Sequence, residues 1–366
     1  MIEQRLSYLK QHLQQNDIGM AFIQGKANLF YFTGFRCEPH ERLVSLMVFP
    51  NAEPCLVCPN MEVSLAKEAG WQLDIIGYSD HENPWEKIQQ FTSDISFQGT
   101  MLGIEGELLS FSRAEQLKNA FPLTEWTKLD NIFMDLRLIK NEKEISVLRE
   151  AAKLADFGVE VGVHALQSGR TEMEILSMIE FELKRKGISE MSFGTLVLSG
   201  EQSANPHGKP SMKTIQKGEF ILFDLGVVLE GYCSDITRTV GFGAISDEQQ
   251  KIYNTVLKAQ LDTLEMCKEG TILGELDRKA RSIITDAGYG DFFPHRIGHG
   301  LGTEVHELPS LNENNSDVLK VGMCFTIEPG IYVPSVGGVR IEDDVLITTD
   351  GYECLTAYPK ELQMIK

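Results

Sequence analysis

The pattern Gly218-x5-Asp224-x-Gly226 recurs as Gly322-x5-Glu328-x-Gly330, with every position displaced by 104 residues. Self-similarity at a fixed offset means that one supersecondary unit is used twice. The segments upstream agree. Residues 142–166 read as a long amphipathic helix with Ile145, Leu148, Ala152, Ala155, Val159 and Val163 at helical spacing. Residues 247–268 read as a second, opened by the capping box Ser246-x-x-Gln249 and stopped by Gly270. Shorter helices over 171–186 and 274–287 follow, ending at Gly187 and Gly288. Two helix-helix-strand-strand units predict an α+β domain with an internal pseudo-twofold axis.

Each repeat carries a pair of acids. Phe220-Ile221-Leu222-Phe223 is a buried-strand run leading into Asp224, and residues 232–240 form a second β-prone run. A turn at Leu229-Glu230 would set Asp224 directly opposite Asp235. In the second repeat Phe325-Thr326-Ile327 leads into Glu328, residues 339–347 form the return strand, and Pro334-Ser335-Val336-Gly337-Gly338 supplies the turn. Pairing about Ser335 sets Glu328 opposite Glu342. Directly opposed side chains have Cβ atoms about 4.5–5.5 Å apart, where two like charges repel unless something positive lies between them.

Ion pairing with Arg238, Arg340 and nearby lysines could account for one such acid. Two matched pairs, with His299 in a glycine-rich stretch between them, point instead to the ligand set of a two-metal hydrolytic site. Four carboxylates and a neutral imidazole carry four negative charges, which two divalent cations cancel. An oxygen-rich, thiolate-free set favours Mn²⁺ or Co²⁺ over a structural zinc, although the affinity order alone would admit Zn²⁺. His295-x-x-x-His299 has the spacing of helical zinc sites, but Gly298, Gly300 and Gly302 argue for a loop or strand with His299 as the only ligand.

The strings Asp224-Leu-Gly, Tyr232-Cys-Ser-Asp235-Ile-Thr-Arg238-Thr, Gly298-His299-Gly300-Leu-Gly302, His306-Glu307, Ile327-Glu328-Pro329-Gly330-Ile331-Tyr332 and Gly338-Val-Arg340-Ile-Glu342-Asp resemble the pita-bread metallopeptidases, in their prolidase and aminopeptidase P branch. Asn28-Leu-Phe-Tyr-Phe-Thr-Gly34-Phe35 resembles a segment of that branch's amino-terminal domain. The resemblance implies a creatinase-like α/β domain over residues 1–137 and a catalytic pita-bread domain over 138–366. It implies Asp224 on one metal, Asp235 and Glu342 bridging both, and His299 and Glu328 completing the second. Glu328 would also be the general base on a metal-bridging hydroxide. His207 and His306 would hydrogen-bond the scissile peptide and the oxyanion, and His295 and Tyr332 would line the substrate pocket. Arg340, two residues before Glu342 and so on the same strand face, would orient that carboxylate.

The expected activity is that of a dinuclear Xaa-Pro dipeptidase, with an aminopeptidase P acting on longer peptides as the alternative. A catalytically silent binding module on the same fold would have lost ligands, and all five are present; a non-peptidase C–N hydrolase is the remaining rival. One departure bears on substrate length. Some prolidases carry, after the His-Glu-x-Pro segment, an Arg that holds a dipeptide's free carboxylate, and this chain has Ser310 there.

Composition bounds the setting. With 34 basic and 53 acidic residues the formal charge is −19, which argues against nucleic acid or anionic membrane as partners. No apolar run has transmembrane length, and neither a Walker loop nor a Gly-x-Ser-x-Gly elbow occurs. Seven cysteines without a recognisable secretory leader predict reduced thiols and a cytoplasmic protein. Cys55-x-x-Cys58 lacks a second pair, and on a strand its thiols would point to opposite faces. The resemblance adds the expectation of a homodimer.

Overall fold

The structure, a computed structural model, describes residues 2–366. Its contacts divide the chain into two compact units, one reaching Leu136 and the other spanning Arg137–Lys366.

The first unit is built on a sheet whose central strands are buried on both faces. In chain order its elements are α1 (Ile2–Gln15), β1 (Met20–Ile23), α2 (Lys26–Thr33), β2 (Ser45–Val48), β3 (Cys55–Pro59), α3 (Val63–Glu68), β4 (Asp74–Tyr78), α4 (Pro84–Asp94), β5 (Met101–Ile104), α5 (Phe111–Ala120), β6 (Glu125–Lys128) and α6 (Asp130–Leu138). The six strands run in the order β4-β3-β2-β1-β5-β6, antiparallel at the β1-β2 and β2-β3 pairings and parallel elsewhere. Successive side chains alternate between two cores, as a period of two requires. Ala21, Ile23, Leu46, Val48, Leu56 and Cys58 pack on one face with Leu6, Leu9 and Leu13 of α1 and Phe133 of α6. Met20, Phe22, Met47, Cys55 and Val57 pack on the other with Trp85 and Ile88 of α4 and Leu117 of α5. Cys55 and Cys58 thus lie on opposite faces, and none of the seven cysteines is in a disulfide. Gly34, at φ 74°, ends α2, while Asn28 within it donates to the buried Glu105 at 2.7 Å.

The second unit contains the repeat. Helices α7 (Glu142–His164) and α8 (Glu172–Arg185) precede strands β7 (Glu190–Met191), β8 (Leu196–Ser199), β9 (Glu219–Leu225), β10 (Val227–Leu229), β11 (Tyr232–Cys233) and β12 (Ile236–Phe242). Helices α9 (Asp247–Leu264) and α10 (Leu273–Asp286) then precede β13 (Gly298–Gly300), β14 (Glu307–Leu311), β15 (Cys324–Ile327), β16 (Gly330–Val333), β17 (Gly337–Arg340), β18 (Asp343–Thr348), β19 (Gly351–Cys354) and β20 (Met364–Ile365). Ser246 caps α9 through the reciprocal capping box. Gly218 and Gly322 occupy matching places before β9 and β15, both at positive φ, 93° and 88°. No helix among the described residues is long and apolar enough to cross a membrane.

Register decides where the acids lie. In the first hairpin Asp224 pairs with Thr237 and Leu225 with Ile236, not Asp224 with Asp235. The cause is the turn, which falls at Glu230-Gly231 instead of Leu229-Glu230, with Leu229 paired to Tyr232. Both turn residues have positive φ, 45° and 85°, the backbone of a tight type I′ hairpin, and Gly231 adopts it at the second position without a Cβ to clash. A slip of two residues leaves Asp235 on the same face as before, so the acids become diagonal neighbours instead of direct ones. In the second hairpin the pairing about Ser335 holds, from Val333↔Gly337 to Gly330↔Arg340 and again from Ile327↔Asp343 to Cys324↔Leu346. Gly337 and Gly338 belong to β17, however, so the turn is shorter than expected. The return strand is also interrupted. At Glu342 it leaves Glu328 and bridges Thr237 of β12, with the Glu342 N–H donating to Thr237 O at 3.1 Å. The Arg340 N–H donates to Thr239 Oγ1 at 3.2 Å, and that hydroxyl donates to Arg340 O at 3.1 Å. The two repeats are stitched together along this line.

Beneath it lies a buried ion pair. Arg238, 1% exposed, donates through Nη2 to Asp343 Oδ1 at 2.7 Å and through Nη1 to Glu342 O at 2.5 Å. Burial by itself would raise the Asp343 pKa, but Arg238 and Lys360 hold it below the usual range.

The glycines around His299 are demanded by close approach. A Cβ on Gly298 would lie 1.9 Å from Thr326 O, and one on Gly300 would lie 2.0 Å from Leu308 O. Both obstacles are backbone, so β13 itself would have to move. Gly298→Ala should therefore cost about 1–3 kcal/mol, the range for overpacking, read as a lowered unfolding temperature in calorimetry. An unchanged melting temperature would contradict the close approach.

Candidate metal centre

Strand ends from both repeats deliver the acids to one place. Asp224 comes from the end of β9, Asp235 from just before β12, Glu328 from just after β15, Glu342 from the interruption between β17 and β18, and His299 from the middle of β13. All five side chains line one cavity of about 720 Å³, together with His207, His295, Arg296, His306 and Arg340. Tyr332 is not among the lining residues; its hydroxyl lies behind them, 2.9 Å from both His295 Nε2 and Arg340 Nη1.

Three of the five expected ligands already converge. Ligand atoms of Asp235, His299 and Glu342 all lie within 4.8 Å of one another, and each residue is buried. His299 Nε2 is 3.8 Å from Asp235 Oδ2 and 3.5 Å from Glu328 Oε1. These separations are long for hydrogen bonds and suit atoms that share a cation. The other ring nitrogen, Nδ1, sits 3.2 Å from Gly300 O. A carbonyl only accepts, so the proton belongs on Nδ1 and Nε2 presents a lone pair to the cavity. Asp235 Oδ1 is buried with no hydrogen-bond partner, whereas the Asp235 N–H donates to Asp344 Oδ2 at 3.0 Å. An orphaned carboxylate oxygen beside an imidazole lone pair and two further acids fits a divalent cation, and the oxygen-rich set fits two.

Asp224 is held differently. It forms a buried ion pair with Arg340 Nη2. Arg340 Nε donates to Thr237 Oγ1 at 2.9 Å, and that hydroxyl donates in turn to Glu342 Oε2 at 2.5 Å. Arg340 thus reaches Glu342 through Thr237, with its own Nε 3.8 Å from Glu342 Oε2, and its direct hydrogen bond serves the carboxylate of the other repeat. Thr237 is a site residue that sequence reasoning misses, though its place two residues after Asp235 puts it on the same face and could have revealed it. Arg296 is also missed; no motif singles it out.

Crowding shows in the protonation equilibria. Burial, reinforced by Glu342 and Asp224, drives Asp235 well above the usual carboxylate range. Glu342 is likewise raised well above its ordinary value by burial, then by Glu328 and Asp224. Burial brings Glu328 up to about 7, with Arg340 pulling the other way and Asp224 pushing further. Burial lowers His299 to about 3 and His295 to about 4. His306, at the exposed side of the cavity, stands edge-on to His299 with ring centroids 4.1 Å apart, and burial with the nearby Arg296 lowers its pKa. These three imidazoles are therefore neutral at pH 7, ready to ligate or to donate one N–H.

A sign follows for the metal-free protein. Glu328 binds a proton in the folded chain between pH 4.5 and about 7 that the unfolded chain has already released, so its stabilising contribution, full below 4.5, is lost as pH rises through that window. The buried histidines titrate in the opposite sense below pH 6.5, so the substitution Glu328→Gln isolates the acid. Chelator-treated Glu328→Gln should gain stability over the chelator-treated parent as pH rises from 4.5 to 7, by on the order of 3 kcal/mol at the upper end. Denaturant midpoints taken across that range check it; a gap independent of pH would refute the burial of an ionisable Glu328.

Comparison with known proteins agrees with this geometry. Residues 146–349 match the model of metallopeptidase family M24, and residues 5–139 match that of the creatinase/prolidase N-terminal domain. A Bacillus subtilis (strain 168) protein named "Putative dipeptidase YkvY" is 53% identical over 358 residues, covering 98% of this chain and 99% of that one. Among solved structures, an Xaa-Pro dipeptidase from Bacillus anthracis superposes with a TM-score of 0.92 at 33% identity, covering 100% of both chains. An X-Pro aminopeptidase from Thermotoga maritima superposes with a TM-score of 0.86 at 31% identity, covering 95% of this chain and 98% of that one. With its two domains, its cavity of acids and the match across most of its length, the chain belongs to metallopeptidase family M24.

Proposed function

We propose that this metallopeptidase hydrolyses the bond before proline in Xaa-Pro dipeptides, at a centre of two divalent metal ions, Mn²⁺ above Co²⁺ or Zn²⁺, held by Asp224, Asp235, His299, Glu328 and Glu342. The observation that carries the reading is the convergence of Asp235, His299 and Glu342 within 4.8 Å of one another beside the unpartnered Asp235 Oδ1. The names of the relatives support the substrate class. A homodimer in a reducing, cytoplasmic setting belongs to the same reading, the setting being supported by seven cysteines of which none is in a disulfide.

When bound, the cations would supply Lewis acidity and lower the pKa of water toward about 7. The remaining chemistry belongs to the chain. Glu328, with 15% of its side chain open to the cavity, accepts the proton of the attacking water and returns it to the departing proline nitrogen. Proline makes the scissile bond a tertiary amide without an N–H, so the nitrogen must gain that proton to leave. His306 donates an N–H to the developing oxyanion, and His207, which lines the same cavity, donates to the peptide. His295, fixed between Arg296 O at 2.8 Å and the Tyr332 hydroxyl, forms a wall of the proline pocket. Arg340 pairs with Asp224 and, through Thr237, holds Glu342 in place.

Chelation should abolish hydrolysis, and Asp235→Asn or Glu342→Gln should lose two-metal binding because each would remove a carboxylate that would hold the ions. Metal analysis of the purified variants decides; two ions retained at parental affinity would sink the assignment. A panel of Xaa-Pro and Xaa-Pro-Yaa peptides with Mn²⁺, Co²⁺ and Zn²⁺ tests the activity itself.

His306→Ala should lower kcat by roughly 10²–10³, the range for losing one transition-state donor, with metal content unchanged. Steady-state kinetics beside metal analysis would remove His306 from the mechanism if kcat did not move.

A further inference from the structure

Glu172, the first residue of α8, is fully buried and is not among the residues that line the cavity. Its carboxylate gathers donors from both ends of one loop. Oε1 accepts from the Ser199 N–H and from Ser199 Oγ, both at 2.8 Å. Oε2 accepts from the Ser211 N–H and from Ser211 Oγ, both at 2.9 Å. Gln202, its amide turned as the surrounding acceptors require, donates to the same two oxygens at 3.0 and 2.8 Å. The hydroxyls are aimed by further bonds. Ser199 Oγ accepts from Lys213 Nζ at 2.6 Å, and Ser211 Oγ accepts from the Lys213 N–H at 3.1 Å, so each keeps its proton for Glu172. A carboxylate accepts through both oxygens and so satisfies every donor in this ring.

Ser199 ends β8 and Ser211 closes the loop that follows it, so Glu172 pins residues 200–210 at both ends. That loop presents Pro206, His207, Gly208, Lys209 and Pro210 to the cavity. Between its ends, Ser203 Oγ accepts from the Gly338 N–H at 2.7 Å, which fastens the loop to β17. His207 has no fastening of its own. Its side chain is exposed and, among the described residues, makes no hydrogen bond, so its place over the cavity is inherited from the backbone that carries it.

We propose that Glu172 is a positioning residue for the hydrolysis: by clamping Ser199 and Ser211 it sets where His207 meets the scissile peptide. The assignment deepens the peptidase reading above and rests on it. A Glu172 that only stabilised the fold would favour no one cavity residue over another. A clamp that acts through His207 loses its effect on catalysis once the imidazole is gone.

A double-mutant cycle separates the two. On the Mn²⁺-loaded full chain with Ala-Pro as substrate, Glu172→Gln should lower kcat/KM by roughly 10- to 100-fold, the scale of a displacement on the order of 1 Å, with metal content at the parental value. Ser211→Ala removes one hydroxyl and leaves the backbone bond, so its loss should be on the order of 3-fold; it carries the same cycle if Glu172→Gln does not fold. In the His207→Ala background each substitution should change kcat/KM by less than about 2-fold. Equal losses with and without His207, parental kcat/KM in the folded variants, or metal lost from Glu172→Gln overturns the assignment while leaving the peptidase reading intact. Parental kcat/KM in His207→Ala also overturns it, by removing the residue through which Glu172 would act. A metal-loaded parent that does not cleave Ala-Pro overturns the peptidase reading, and the assignment with it.

Discussion

Mutual repulsion among buried acids is the constraint around which the second unit is arranged. Asp224, Asp235, Glu328 and Glu342 share one cavity wall with little access to water, so each ionised carboxylate loses hydration and meets like charges at once. Arg340 is placed where it can offset part of this, and it pairs directly with Asp224. The rest is unbalanced in the protein alone, which is why Asp235 and Glu342 are driven so far from their ordinary pKa. A fold that tolerates such crowding does so because divalent cations would convert the repulsion into attraction, and metal binding then becomes part of the folding free energy.

The scaffold that holds the acids apart by the right amount is a seam between two repeats. Thr237 and Thr239 of one half meet Glu342 and Arg340 of the other through both backbone and hydroxyl hydrogen bonds. The buried Arg238–Asp343 pair lies directly beneath and ties the same two segments. Breaking such a pair by removing one partner is costly, because a buried charge is left without compensation. Rigidity at the seam is therefore what keeps the ligand atoms of Asp235 and Glu342 within 4.8 Å of each other.

Polarity across the cavity separates two tasks. Neutral imidazoles, kept uncharged by burial and by neighbouring arginines, can offer a lone pair or a single N–H. Arg296, by contrast, is a permanent cation that donates to Ser310 and pulls the Glu328 pKa down. The acid cluster suits divalent metal.

Much of this was legible in the letters because it depends on local periodicity. The offset repeat, the capping box at Ser246, the alternating burial of β1 to β3 and the pairing about Ser335 all follow from side-chain period and turn chemistry, which act over a few residues. The four acids and the imidazole of the cluster were legible for the same reason, since a face-preserving period of two carried Asp235 to the right side even with the wrong partner. Tertiary structure alone decided the rest. The turn at Glu230-Gly231 shifted the first hairpin by two residues, because only there do consecutive residues of the hairpin adopt positive φ with a glycine to ease it. The departure of Glu342 from its hairpin toward Thr237 and the assignment of Arg340 to Asp224 join residues more than one hundred positions apart. The support of Arg296 by Ser310 depends on a strand pairing that no local pattern announces. Such choices are made by which segments happen to be packed side by side, and a charge takes the nearest partner in space, whatever its distance along the chain.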